Sequence, residues 1–142
     1  MSNNEIKNSS NESTISTSIS PWLSVLNCIR AVDFYKSAFG AIEAYRMESP
    51  DGILQVAKLS VDGAEFWLGE VSSVDDNLGS ESPGRASVRM ILTVTDPDVL
   101  FDQALKAGAI EVFPVGEEYG WRLGRLIDPF GFHWEIGRPL TK

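Results

Sequence analysis

The tetrapeptide Gly40-Ala41-Ile42-Glu43 recurs 68 positions later as Gly108-Ala109-Ile110-Glu111, and the pairs Gly63/Gly131 and Gly69/Gly137 keep the same spacing. Matches in phase over that distance constrain the fold more than any other feature, because they require one structural unit to be present twice. The chain has 142 residues, room for a single ordinary domain or two very small ones. Two copies at a 68-residue spacing span nearly all of it.

The order of elements supports the duplication. Trp22–Leu26 reads as a short strand. Val32, Phe34 and Ala38 fall at helical spacing over Asp33 to Phe39, and Gly40 follows as a C-cap. Strands are expected at Ile42–Arg46, Ile53–Val61 and Ala64–Leu68, separated by the turn dipeptides Asp51-Gly52 and Asp62-Gly63. The polar run from Val71 to Gly84 reads as a linker. The order then repeats: a strand over Val88–Thr95, a helix from Pro97 to Lys106 with Asp96 as N-cap and Gly108 as terminator, and strands at Ile110–Phe113, Arg122–Ile127 and His133–Ile136. Each half is therefore strand–helix–strand–strand–strand. One helix covers only one face of such a sheet, so two units leave two open faces, which bury each other or enclose a cleft lined by both halves.

Composition excludes several classes. Hydrophobic residues make up 43% and charged residues 23%, as in ordinary globular proteins. No apolar run approaches the roughly 20 residues of a membrane-spanning helix, so no membrane association is expected. With 20 acidic against 12 basic residues and a formal charge of −8, the chain repels phosphate backbones, and no nucleic-acid partner is expected. The single Cys28 makes no internal disulfide and points to a reducing, cytoplasmic location. Residues 1–19, rich in Ser, Asn and Thr, bury too little apolar surface to offset chain entropy and are expected to form a disordered polar tail.

Two segments carry a family resemblance. Val32-Asp33-Phe34-Tyr35-Lys36-Ser37-Ala38-Phe39-Gly40-Ala41 resembles the first helix of the vicinal oxygen chelate superfamily, which includes glyoxalase I, bleomycin-resistance proteins and extradiol dioxygenases. Gly120-Trp121-Arg122 followed by Asp128-Pro129-Phe130-Gly131-Phe132-His133-Trp134-Glu135-Ile136-Gly137 resembles its C-terminal signature, most closely in the PhnB-like, glyoxalase-related branch. The resemblance implies an α+β fold in which two βαβββ modules form a curved mixed sheet around a cleft. It divides residues 20–140 into module one (20–70), a linker (71–86) and module two (87–137). It also implies a homodimer, with the cleft either within one chain or shared across two.

Metal-dependent members of that superfamily hold a divalent cation with His, Glu or Gln side chains, one on the first strand and one on the last strand of each module. By motif and repeat offset those positions fall here on Glu135, Trp67, Ser20 and Arg89. Glu135 is the only retained ligand-type residue, an indole offers no lone pair, and a guanidinium repels a cation. No cofactor is therefore expected, a residual divalent metal being the alternative. The first and last strands of a module are neighbours, so Arg89 is expected to pair with Glu135. His133, the sole histidine, shares a strand face with Glu135 by period-2 alternation. It serves either as a hydrogen-bonding residue in the cleft or, together with Glu135, as a catalytic acid–base group. Candidate ligand-binding residues are Trp22, Trp67, Arg89, Tyr119, Trp121 and Arg122, aromatic rings with cations suited to a small planar or anionic compound. Phe34, Phe39, Phe101, Phe132 and Trp134 are assigned to the core, and Asp128-Pro129 to a turn.

Two functions follow from these residues: a metal-independent binder of a small organic molecule, or a lyase or isomerase using a residual metal or His133/Glu135 chemistry. A bare interaction domain is a third, with no specific residue in its favour.

Overall fold

In the computed structural model, which describes residues 14–71 and 88–140, each half folds as one βαβββ module. The first contains β1 (Trp22–Val25), α1 (Cys28–Phe39), β2 (Ile42–Glu48), β3 (Leu54–Val61) and β4 (Ala64–Glu70). The second contains β5 (Met90–Thr93), α2 (Pro97–Ala107), β6 (Ile110–Glu118), β7 (Trp121–Ile127) and β8 (His133–Pro139). The strand orders are β1-β4-β3-β2 and β5-β8-β7-β6, with a parallel pair at the inner edge of each sheet and antiparallel pairs beyond it. Among the described residues no ladder joins the two sheets. Most of the polar tail and of the linker expected from the sequence lie outside the described residues, while residues 14–19 are exposed and have no regular structure.

Local chemistry sets these elements. The Asn27 side chain accepts from the Arg30 N–H at 3.0 Å, so α1 starts at Cys28, one and a half turns before the Asp33 expected from hydrophobic spacing. Gly40, at φ +71°, ends it and donates to the Lys36 carbonyl. Asp96 caps α2, with Pro97 in the first turn. Asp62 and Gly63 both have positive φ, as a two-residue type I′ hairpin requires, and they fix Val61 opposite Ala64. β6 runs past the expected end at Phe113 to Glu118. It is an edge strand with a register shift between Phe113 and Gly116, where Pro114 is tolerated without a ladder bond.

The helices pack against their own sheets and against each other. Trp134 of β8 crosses the module boundary, its ring centroid 4.8 Å from Phe39, 5.7 Å from Tyr35 and 5.4 Å from Phe66. Phe34, Phe39, Phe101 and Trp134 are buried and Phe132 packs at the margin, as assigned from the sequence. Asp128 does more than turn the chain. Its buried carboxylate accepts from Tyr35 Oη of module one, from Trp134 Nε1 at 2.8 Å, and from the N–H groups of Phe130 and Phe132 at 2.9 Å. Each sheet keeps one face free of helix, and Trp22, Tyr45, Met47 and Ile91 remain half exposed there. Among the described residues no helix is long and apolar enough to cross a membrane.

Candidate functional site

Alternation along β4 turns Phe66 and Leu68 toward the buried core and Trp67 and Gly69 to the open face. The parallel register sets Trp22 opposite Trp67 and Ser24 opposite Gly69. The two indoles stack, with centroids 6.2 Å apart and planes 20° apart. Gly69 is the seat of this stack: a Cβ there would lie 2.1 Å from Trp22 Cζ2. Tyr45 meets Trp67 edge-on at 5.9 Å, and Lys58 Nζ stands 5.0 Å from the Trp67 ring and 3.2 Å from Glu65. The result is an aromatic shelf. Tyr45 and Lys58 were missed from the sequence, although the Asp62-Gly63 hairpin dictates Lys58 opposite Trp67.

The repeat-equivalent position in module two carries a charge cluster. Arg89 Nε lies 2.9 Å from Glu135 Oε2, the pairing expected from strand adjacency. Arg125 Nη2 reaches the same oxygen at 3.3 Å, and its guanidinium carbon lies 5.8 Å from the Phe113 ring. Arg125 was not foreseen; its signal is the β7–β8 register, which places it opposite Glu135. Glu135 is largely covered, whereas the Arg89 side chain is 49% exposed. His133 shares this face, opposite Ile127. His133 Nδ1 and Arg125 Nε are buried and have no hydrogen-bond partner among the described residues.

A crevice of about 450 Å³ at the seam between the modules is lined by Ser20, Pro21, Glu65, Arg89, Ile91 and Trp134, among others. It brings together Ser20 and Arg89, which lie just ahead of β1 and β5 and not on the first strands where they were expected. Three candidates lie elsewhere. Arg122 faces the opposite side of its sheet and clamps Asp98 of α2 at 2.7 and 2.6 Å, which holds the Asp98 carboxyl below its ordinary range. Arg122 and Arg125 are three positions apart on β7, an odd separation that places them on opposite faces, and this corrects the grouping of Arg122 with the cleft. Tyr119 projects from the β6–β7 turn at φ +55° and is almost fully exposed. Trp121 is on the Glu135 face but four residues from Arg125 along β7, about 13 Å away at strand rise.

The four positions that would hold a cation do not fit one. They present an indole, a hydroxyl, a guanidinium and a carboxylate whose Oε2 is already shared by two guanidiniums. Among the described residues no group of three or more His, Cys, Asp or Glu side chains is placed to hold a metal ion.

No protein-family model matches the chain. It is similar to an uncharacterized protein of Mycobacterium bovis, 38% identical over 134 residues that span 90% of this chain and 87% of that protein. Its structure resembles the X-ray structure of an Arabidopsis thaliana gene product, with 32% identity, a TM-score of 0.67 and coverage of 87% of this chain and 100% of the other. It also resembles a glyoxalase/bleomycin resistance protein/dioxygenase family enzyme from Burkholderia phytofirmans, with 20% identity, a TM-score of 0.66 and coverage of 84% and 95%.

Proposed function

We propose that this chain, which shares its fold with a glyoxalase/bleomycin resistance protein/dioxygenase family enzyme, is a member of the vicinal oxygen chelate superfamily that binds a small organic molecule without a metal. The observation that carries this reading is the fate of the last-strand positions. In module two Glu135 is engaged by Arg89 and Arg125, and in module one Trp67 forms a stack with Trp22. Both are surfaces for organic groups: a π-face on one sheet, guanidinium forks on the other, with a crevice at the seam.

A homodimer is part of the proposal. The half-exposed Trp22, Tyr45, Met47 and Ile91 on the open sheet faces supply apolar area that a second copy would cover. A cytoplasmic location, in line with the free Cys28 thiol, is also part of it. The enzyme alternative draws on His133, whose Nδ1 is unpartnered among the described residues. Titration of a small-aromatic panel in the presence of a chelator, followed by tryptophan fluorescence, tests the reading. Saturable binding that weakens in Trp67→Ala is expected. Binding abolished by the chelator contradicts the metal-free reading, and product formation that is lost in His133→Gln would establish the enzyme instead.

A further inference from the structure

We infer that the Arg89–Glu135–Arg125 cluster is a recognition subsite for one carboxylate group, so that the ligand is an organic monocarboxylate with an apolar body. This rests on the proposal that the chain binds a small molecule, and it specifies the class. Two guanidiniums converge on a single carboxylate oxygen, Glu135 Oε2, at 2.9 and 3.3 Å. Charge is therefore left over: two cations against one anion leave one positive charge on the open face of a chain whose formal charge is −8.

Donors are left over as well. Arg125 hydrogen-bonds Glu135 through Nη2 and Arg89 approaches it through Nε, while the terminal nitrogens of Arg89 and Nη1 of Arg125 make no hydrogen bond among the described residues. Arg125 Nε and His133 Nδ1 are buried beside them without partners. The half-exposed Arg89 side chain keeps its terminal N–H groups where an acceptor arriving from outside can reach them, and the buried, unpaired Arg125 Nε and His133 Nδ1 leave the polar groups beneath it unsatisfied. A guanidinium fork matches a planar carboxylate in two parallel hydrogen bonds.

Charge balance selects a monoanion. One carboxylate neutralises the excess, whereas a phosphate-type dianion would leave a partly covered negative charge on an already acidic chain. The surroundings select an apolar body: Ile91 lies opposite Glu135, Ile127 opposite His133, and Phe113 beside the Arg125 guanidinium. Arg89 and Ile91 also line the seam crevice, which gives that body a place to extend.

The test uses the full-length ¹⁵N-labelled chain, titrated with 2-naphthoate, with 2-naphthamide and with inorganic phosphate at constant ionic strength. Binding is followed by the arginine Nε–H, histidine and backbone resonances. The acid should bind at least about tenfold tighter than the amide, since charged hydrogen bonds are exchanged for neutral ones, and it should shift the Arg125 Nε–H signal. Arg125→Gln should reduce the preference to near unity. Arg89→Gln, at a half-exposed position, gives the same readout if Arg125→Gln does not fold. Equal binding of acid and amide overturns the carboxylate subsite and leaves the small-molecule reading standing. Phosphate displacing naphthoate at comparable concentration overturns the monoanion assignment. Binding of neither naphthalene probe overturns both.

Discussion

Tyr35, in the helix of the first module, donates its hydroxyl proton to Asp128, in the last turn of the second. The residues are 93 positions apart. Asp128 serves four donors at once, so two repeats of one unit are tied together by an element only one of them carries. Tyr35→Phe removes one charged hydrogen bond and should cost about 1.5–3 kcal/mol. Asp128→Ala strands every donor and should cost about 4 kcal/mol or more. Urea denaturation of both variants measures the difference; equal losses would contradict a shared anchor.

Alkaline pH should loosen the fold from two buried groups. Burial, then the Glu70 carboxylate, pushes the Cys28 thiol from its ordinary value near 9 to about 11. Burial, then the Asp128 charge, raises the Tyr35 hydroxyl above its ordinary value near 10. In each case the unfolded chain releases a proton that the folded chain keeps. Stability is therefore full below pH 9 and falls above it, by up to about 1.4 kcal/mol per pH unit for each group titrating only in the unfolded state. The Cys28 contribution ends near pH 11, while that of Tyr35 begins near pH 10. Urea midpoints between pH 8 and 11 should show a decline whose onset moves up about one unit in Cys28→Ala. An unchanged onset would sink the assignment to Cys28.

The arginine pair should behave redundantly. Because Arg89 is half exposed and Arg125 stays on Glu135 when Arg89 is removed, Arg89→Gln alone should cost no more than about 1 kcal/mol. Removing both arginines leaves a largely covered carboxylate without a counter-charge, so the double variant should cost more than the sum of the singles, by about 1 kcal/mol or more. Chemical denaturation of the four members of the cycle measures this coupling; additive losses would show that the two guanidiniums do not share Glu135.

Gly69 controls the aromatic shelf through space alone. Its missing side chain is where the Trp22 ring sits. Gly69→Ala should push the Trp22 indole off Trp67, abolish the near-ultraviolet circular dichroism of the stacked pair and weaken binding of aromatic ligands about as much as Trp67→Ala does. An unchanged spectrum would mean the stack is not seated on Gly69.

The parts that local chemistry specifies were legible in the chain. The repeat announced two modules, Asp62-Gly63 announced a hairpin, and Asp96-Pro97 announced a helix start. What failed was anything set by another part of the structure. α1 begins early because, beside the Asn27 cap, the Glu70 carboxylate of β4 accepts from the Cys28 N–H at 2.8 Å. β6 passes through Pro114 because its outer edge needs no partner. Arg122 was grouped with the cleft by its aromatic neighbours in sequence, but strand alternation carries it to the helix side, where Asp98 takes it. Arg125 and Lys58 join the two surfaces only through antiparallel register. Asp128 read as a turn residue because its distant partner, Tyr35, leaves no trace in the local sequence.

The central claim is that organic recognition groups stand where relatives of this fold hold a cation. Elemental analysis of protein purified without chelator, repeated on Glu135→Gln, tests it most directly. Divalent metal far below one ion per chain, the same in both proteins, is the predicted result. Near-stoichiometric metal that disappears in Glu135→Gln would contradict it.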